Sequence, residues 1–358
     1  KLSSMPSYRE TVHWRATRRF LAATGILALG AAGLTSCGGP VLGSPSSGSL
    51  TLYSGQHAET TQAELAAFER QTGIHVNVRS GDENALVQQI EQEGSTSPAD
   101  VVFTENSPAL MSLEGKGLLA PLPETTISEV PAKYSSPLGE WVGVSARASV
   151  IVYNNSQLSG DQVPASVLDL ANPRWKGKLA LAPTETDFQP IVTSIALANG
   201  NQAALQWLKA VRSNASGHVD PDNETVISDV NRGQAELGVV DHYYWYRMAK
   251  NVGSAGLHSQ IAYLAPRDPG YVIDVSGAGV LKSSRHKSEA EQLVSFLVSA
   301  PGQLTLVASN SFEYPLRAGT TEPPGLKPFA ELQPAPITIS QLGDGSVALR
   351  LLQQAQVL

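Results

Sequence analysis

The sequence has a single cysteine, Cys37, in 358 residues. One thiol allows no disulfide within the chain and no thiolate cluster for a metal. The sequence also lacks the Gly-x-x-x-x-Gly-Lys phosphate loop, the Gly-x-Gly-x-x-Gly dinucleotide turn, the His-Glu-x-x-His zinc motif and the Gly-x-Ser-x-Gly nucleophile elbow. Its 31 glycines and 23 prolines follow no repeat, which excludes collagen-like and low-complexity chains. What remains is a globular sequence without a common catalytic signature.

The first 37 residues are predicted to be an export signal. A basic segment with three arginines precedes an apolar run at residues 20–34, which is too short to span a bilayer. The run leads into Leu-Thr-Ser-Cys, which resembles a bacterial lipobox, so Cys37 is the predicted lipid-attachment site. Residues 38–48, rich in glycine, serine and proline, then form a flexible tether. A pair of arginines resembles a twin-arginine signal, and the export route stays open.

Without that signal, the predicted mature chain is strongly acidic. The whole sequence has 25 basic and 32 acidic residues, of which residues 1–37 hold five basic and one acidic. The mature chain therefore has 20 basic and 31 acidic residues, a net charge of −11. Such a surface disfavours nucleic acid and anionic membranes as partners and suits a cationic ligand. The lipid anchor is the only membrane contact that we expect.

From residue 49 onward, short apolar strands alternate with amphipathic helices, a pattern typical of α/β domains with largely parallel sheets. With 42% apolar and 16% charged residues, the chain has enough material for two domains of ordinary size. Two predicted strands, at residues 148–154 and 271–281, could carry the chain from one domain to the other and back. We therefore predict a two-lobed α/β protein hinged by two crossover strands. Lobe 1 comprises residues 49–146 and 275–318, and lobe 2 comprises residues 147–274 and 319–358.

Candidate ligand residues follow three of the predicted strands. They are His57, Glu105 and the adjacent pair Tyr243 and Tyr244. Because ligands of open α/β sheets bind beyond the carboxyl ends of the strands, we expect these side chains to meet in one cleft. The tyrosines begin a predicted helix, where neighbouring residues are about 100° apart, so both rings can face the cleft.

Two phenols, a carboxylate and an imidazole suit a hard trivalent cation. Ionising one tyrosine at pH 7 costs roughly 4 kcal/mol and ionising two costs about 8 kcal/mol, which requires a strong Lewis acid such as Fe(III). Two phenolates and Glu105 would balance its 3+ charge, with His57 neutral. The residues alone leave two alternatives open. Tyr243, Tyr244 and Trp245 could form an aromatic wall for an organic cation or small polar solute. An exported enzyme could use Tyr243 or His57 as acid or base, although we find no nucleophile with orienting partners.

Six segments and the tandem tyrosine resemble one known family over residues 50–356. The segments are LYSGQH at residues 52–57, SPADV at 97–101, NPRWK at 172–176, RDPG at 267–270, SGAGVLKSS at 276–284 and EYPL at 313–316. The family is the bacterial periplasmic ferric-iron-binding proteins, the transferrin-like substrate-binding components of iron ABC importers. The resemblance implies a type II periplasmic-binding-protein fold, Fe(III) as cargo, no enzymatic activity, and a monomer outside the cytoplasm that delivers iron to a permease driven by an ATPase.

The family's iron ligands are a histidine, a glutamate and two adjacent tyrosines, which match the four residues chosen above from the strand ends. The resemblance also matches Arg147 to an arginine behind the site. It matches Asn223 to a position that helps to hold a synergistic anion such as phosphate or carbonate.

The sequence departs from the family pattern around that anion. Thr184, Glu185, Thr186 and Asp187 stand where small residues often cradle the anion, and Asp241 stands where asparagine is usual. Carboxylates at these positions would repel an anion at close range. We therefore hypothesise that a carboxylate, Asp187 or Glu185, replaces the external anion or weakens its binding. The alternative is that these side chains turn outward.

Overall fold

The computed structural model describes residues 49–358, so the predicted export signal, Cys37 and the tether lie outside the described residues. In the described part of the chain, no helix has the length and apolar character needed to cross a membrane. The strands are β1 Leu50–Ser54, β2 Val76–Ser80, β3 Val101–Thr104, β4 Val142–Asn154, β5 Leu179–Ala180, β6 Leu237–Asp241, β7 Ser259–Ala262, β8 Ile273–Val280 and β9 Tyr314–Pro315. The α-helices are α1 Ala58–Thr72, α2 Glu83–Glu93, α3 Ser107–Gly115, α4 Glu124–Ile127, α5 Phe188–Asn199, α6 Asn201–Asn214, α7 Asn223–Arg232, α8 His242–Gly256, α9 Lys287–Val298, α10 Ala300–Ala308, α11 Ile339–Leu342 and α12 Ser346–Gln354.

The strands form a mixed sheet in the order β2-β1-β3-β8-β4-β6-β5, with β7 and β9 also paired to β4. The pairs β1–β2, β1–β3 and β5–β6 are parallel, and every pair that includes β4 or β8 is antiparallel. The expectation of largely parallel sheets is therefore wrong for the middle of the sheet. The reason is that β4 and β8 run opposite to their neighbours where the chain passes between the two halves.

Strand β4 joins the two halves. All thirteen of its residues are buried, and its Val-Ile-Val-Tyr stretch has the β-branched and aromatic side chains that favour strands. Its first part pairs with β8, from Val142 opposite Ala278, and its last part pairs with β6, from Ser149 opposite Asp241. The two-lobed α/β fold class with crossover strands is thus confirmed, and the crossover lies next to Arg147.

The apolar core forms two clusters, of which the larger extends through both halves and the smaller lies in the second half. A large cluster includes Phe68, Leu110 and Trp141, and a smaller one combines Val150, Val226 and Val240 with the rings of the tyrosine pair. The tyrosine rings are therefore part of the core of the second half, and only their hydroxyls can reach the cleft. This packing fixes where those hydroxyls point.

Helix starts place further polar side chains at the cleft. The Asp82 side chain accepts a hydrogen bond from the Ala85 N–H at 2.8 Å and caps α2, which begins with Glu83. The Asp222 side chain accepts from the Thr225 N–H at 2.7 Å and caps α7, which begins with Asn223. Both caps fix the first residue of a helix that faces the cleft.

Candidate functional site

His57 lies between β1 and α1, where the chain turns at Gly55. A Cβ atom at Gly55 would lie 2.5 Å from the Glu83 Cβ, so this close approach requires glycine. The His57 backbone N–H donates to the Gln56 Oε1 at 2.7 Å. The imidazole Nε2 is 2.8 Å from Glu105 Oε1 and 3.1 Å from the Tyr243 hydroxyl. Histidine, glutamate and tyrosine thus meet through three different atoms.

Tyr243 and Tyr244 occupy the first turn of α8, directly after β6. Their ring centroids are 4.2 Å apart, and the residues are 0% and 3% exposed. The Tyr243 hydroxyl donates to Glu105 Oε1 at 2.5 Å, and the Tyr244 hydroxyl donates to Asp187 Oδ2 at 2.8 Å. Trp245 instead donates from its Nε1 to the Ser259 hydroxyl at 3.2 Å. The Trp245 N–H is therefore bonded to a group other than the carboxylates that bond to the two tyrosines.

Asp187 is the carboxylate that faces the tyrosine pair from the start of α5. Its Oδ2 also accepts from the Asn223 side-chain amide at 3.2 Å and lies 3.3 Å from the Tyr243 hydroxyl. Its Oδ1 accepts from the Asn106 side-chain amide at 2.8 Å, and the same amide donates to the Thr186 hydroxyl at 3.0 Å. Asp187 thus lies among amide donors and phenols.

The other two candidate carboxylates are placed differently. Glu185 is half-buried, and among residues 49–358 its side chain makes no hydrogen bond. Burial, then Asp187 and Glu105 nearby, raise the pKa of Glu185 to about 8. Asp241 is buried at the end of β6, and burial together with Asp187 raises its pKa well above the usual range. Neither side chain bonds to the tyrosines in the described part of the chain.

Arg147 supplies a buried positive charge behind the site. It is 0% exposed, and its Nη2 is 2.9 Å from Glu313 Oε2 in an ion pair within the core. Its Nη1 donates to the Asn106 Oδ1 at 3.4 Å, and its guanidinium lies 5.3 Å from the centre of the Tyr243 ring. The arginine therefore touches the site from the crossover strand β4.

Burial and neighbouring charges shift the pKa values of the phenols and carboxylates at the site in different directions. Burial raises the pKa of both tyrosines well above 10, and the carboxylates of Asp187 and Glu105 raise it further. Burial also acts to raise the pKa of Glu105, but His57 and Arg147 outweigh it and bring the value to about 2. Burial and the charge of Glu105 raise the pKa of Asp187 to about 6. At neutral pH the phenols are protonated while Glu105 is ionised.

The pKa of His57 follows from its partner as well. Burial acts to lower this pKa, but the charge and hydrogen bond of Glu105 outweigh burial, and the pKa is raised.

In residues 49–358, no set of three or more His, Cys, Asp and Glu side chains is arranged to hold a metal ion. A metal at this place would therefore depend on the tyrosine oxygens.

Three buried residues at the site were missed by sequence reasoning. Asn106, Glu83 and Glu313 bond respectively to Asp187, to the backbone of Glu105 and to Arg147. Asn106 directly follows Glu105 at a strand end, and that position was a usable signal. Glu83 reads as an ordinary acidic residue in a first helical turn. Glu313 begins the EYPL segment that carries the resemblance, but that segment does not indicate its pairing with Arg147.

A cleft between two α/β halves, with a buried set of polar groups converging in it, defines a solute-binding protein. Residues 96–338 match the family model of the bacterial extracellular solute-binding proteins, and the chain belongs to this family. The predicted resemblance to the ferric-iron-binding members is confirmed by relatives that match over most of their length.

One relative is the Fe(3+)-binding periplasmic protein of Serratia marcescens, 37% identical over 86% of this chain and 90% of the relative. Another is the major ferric iron-binding protein of Neisseria meningitidis, 38% identical over 87% of this chain and 94% of the relative. The solved structure of iron-bound HitA from Pseudomonas aeruginosa is 39% identical and superposes with a TM-score of 0.82 over 86% of this chain and 99% of HitA. These relatives are iron-binding proteins and not enzymes.

Proposed function

We propose that this chain captures Fe(III) in its cleft and delivers it to a permease driven by an ATPase. The proposed protein ligands are His57, Glu105, Tyr243 and Tyr244. The observation that carries the proposal is the direct contact of their donor atoms: Glu105 Oε1 is 2.8 Å from His57 Nε2 and 2.5 Å from the Tyr243 hydroxyl. The iron-binding relatives support the same cargo.

The electrostatics of the site favour a highly charged cation over a neutral solute. The phenols have raised pKa values, so they give up their protons only to a strong Lewis acid. Glu105 and Asp187 provide negative charge next to them, and the 3+ ion replaces the hydroxyl protons that now bridge these groups. A cavity of about 250 Å³ beside Tyr244, lined also by Glu59 and Arg247, provides the approach from solvent.

We further propose that Asp187, rather than Glu185, takes the place of the synergistic anion. Asn223, which the family resemblance assigns to anion binding, donates its amide to Asp187 at 3.2 Å. The Tyr244 hydroxyl donates to the same oxygen at 2.8 Å. A carboxylate held in this way occupies the Asn223 and Tyr244 donors and adds a protein ligand of the hard type that Fe(III) prefers.

The proposed protein is a monomer anchored by lipid at Cys37 to the outer face of the cytoplasmic membrane. Its proposed lobes are residues 49–146 with 275–318 and residues 147–274 with 319–358. In support of the second set, α12 packs against α5 and α6. The delivery partner is expected to dock on both lobes, as closure around cargo requires.

Binding of an organic cation by an aromatic wall is the weaker alternative. Trp245 is bonded to Ser259, and the tyrosine hydroxyls already contact carboxylates directly. Because these groups are in direct contact at 2.5 and 2.8 Å, no space for an organic molecule lies between the hydroxyls and the carboxylates.

The test is to load the purified, metal-stripped protein with ferric citrate, remove excess iron and record the visible spectrum. Iron held by tyrosinate should give a charge-transfer band at one iron per chain. Colourless protein rules out the iron proposal. A second arm compares iron affinity with and without phosphate or carbonate, and a strong requirement for either anion rules out the role of Asp187.

A further inference from the structure

Glu83 holds the turn that carries Glu105. This glutamate is 4% exposed at the start of α2, and its Oε2 accepts from the backbone N–H groups of Glu105 at 2.9 Å and of Asn106 at 3.0 Å. Its Oε1 accepts from the Asn106 side-chain amide at 3.1 Å. One carboxylate therefore fixes two successive backbone groups and one side chain directly after β3.

Asn106 carries that arrangement across the cleft. It is 1% exposed, and its side-chain amide lies within hydrogen-bond distance of Glu83 Oε1, of the Thr186 hydroxyl and of Asp187 Oδ1. Its Oδ1 accepts from Arg147 Nη1 at 3.4 Å. Glu83 and Asn106 belong to the half built on β1–β3, whereas Thr186 and Asp187 precede α5 in the other half. The asparagine amide is fully used by this bridge, because it has two N–H groups for three acceptors.

We infer that Glu83 and Asn106 are positioning residues that set the two carboxylates of the iron site relative to each other. We call this pair of residues the Glu83–Asn106 clamp, and the inference that they act in this way rests on the proposed function. Glu83 fixes the backbone of Glu105, and Asn106 turns Asp187 so that its Oδ2 faces the tyrosine pair. Neither residue is among the proposed iron ligands.

The position of Asp187 shows why it needs such a clamp. It stands where a helix-capping residue would, but its side chain makes no capping hydrogen bond to α5. Its orientation therefore depends on Asn106, Asn223 and Tyr244, and Asn106 alone of these links it to the opposite half. When the halves separate, that link is lost, and only Asn223 and Tyr244, both in its own half, still hold Asp187. The clamp thus makes the proposed contact of Asp187, the fifth from the protein, depend on a closed cleft.

The test compares Asn106→Ala with Asn214→Ala in the iron-loaded protein. Asn214 is a matched control, since it is 4% exposed and its amide donates to the Leu170 and Asn172 carbonyls far from the site. Two quantities are measured: the rate of iron transfer to a competing chelator, and the effect of added phosphate on that rate. We expect Asn106→Ala to release iron about 10–100-fold faster, the range typical of losing an outer hydrogen-bond partner of a metal ligand. Phosphate should slow this release and should not affect the parent protein.

A structural role for Asn106 would lower thermal stability but change neither quantity, as expected for Asn214→Ala. Parent-like release without a phosphate effect in Asn106→Ala would overturn the clamp. If that variant fails to fold, Glu83→Gln serves instead, because glutamine still accepts from the backbone but directs an amide at the Asn106 amide. Parent-like release of Glu83→Gln would overturn the clamp equally. Absence of a tyrosinate–iron band in the parent would reject the proposed function instead.

Discussion

On the β1–β3 side of the cleft, Glu105 and His57 form a pair 2.8 Å apart, and the pKa of Glu105 is lowered to about 2. On the opposite side, the tyrosines have pKa values well above 10 and Asp187 has a pKa of about 6. The first side has its negative charge ready at neutral pH, whereas the second keeps protons that a cation must displace. If the chain binds Fe(III) as proposed, proton release on binding should therefore come mainly from the side that carries the tyrosines.

The largest effect should come from removing the phenols. In the Tyr243→Phe, Tyr244→Phe double variant, we expect the visible band to disappear and iron binding to weaken by on the order of a thousandfold or more, because two ionised ligands are lost. Chelator competition and absorbance measure both results. Tyr153→Phe is the control, since its buried ring bonds to Gln260 away from the site. A double variant that keeps the colour would contradict the assignment of the tyrosines.

The second prediction concerns pH. Because both phenols are protonated in the free protein, iron binding releases two protons, and the apparent affinity should fall about 100-fold for each unit of decrease in pH near neutrality. The fall should be steeper still where His57 is protonated, since Glu105 raises its pKa above the ordinary value for histidine. Below pH about 6, Asp187 must also lose a proton, because its pKa is about 6. Glu105 adds nothing to this slope above its pKa of about 2. Affinity measured at several pH values, corrected for protonation of the competing chelator, tests this; a flat profile would exclude tyrosinate ligation.

A smaller effect is expected from Asp187→Asn. Loss of this charge should weaken iron binding about 10–100-fold and make the protein responsive to phosphate or carbonate, which can then approach Asn223. Titration of iron affinity against each anion measures the response. If the variant shows parent-like affinity and no response to either anion, Asp187 is not part of the site.

The smallest effect should come from Glu185→Gln. Since its side chain makes no hydrogen bond among residues 49–358, iron affinity should change by about twofold or less. The same chelator competition gives the value. A loss as large as that of Asp187→Asn would mean that the two carboxylates share the role.

The sequence predicted the parts of the site that depend on strand ends. His57, Glu105, Tyr243 and Tyr244 could be found because the end of a strand is visible in the apolar pattern. Asp187 could not be distinguished from Glu185, because their orientation depends on the short turn between β5 and α5. Asn106 and Glu83 act through hydrogen bonds to groups far away in the chain, which no local pattern records.

The fold was predictable in class but not in the direction of its central strands. Strand β4 begins at Val142, six residues before the predicted strand at residues 148–154. The prediction missed this first part because it contains residues such as Gly143 and Ala146, which are uncommon in strands. Its pairing with β8 connects residues more than a hundred positions apart. The antiparallel pairing of β4 with β8 therefore depends on tertiary contacts, which the local sequence pattern does not show.

The position of β8 between β3 and β4 has a consequence for how the molecule is made. Strand β3 ends at Thr104, but the strand that pairs with its second edge is β8, at residues 273–280. The sheet of this half can therefore be extended past β3 only after those residues are present. Such long-range pairing slows folding, because a large loop must close before the contact stabilises it. A chain interrupted before residue 273 would therefore expose the edge of β3, and synthesis must pass that point before either half can be completed.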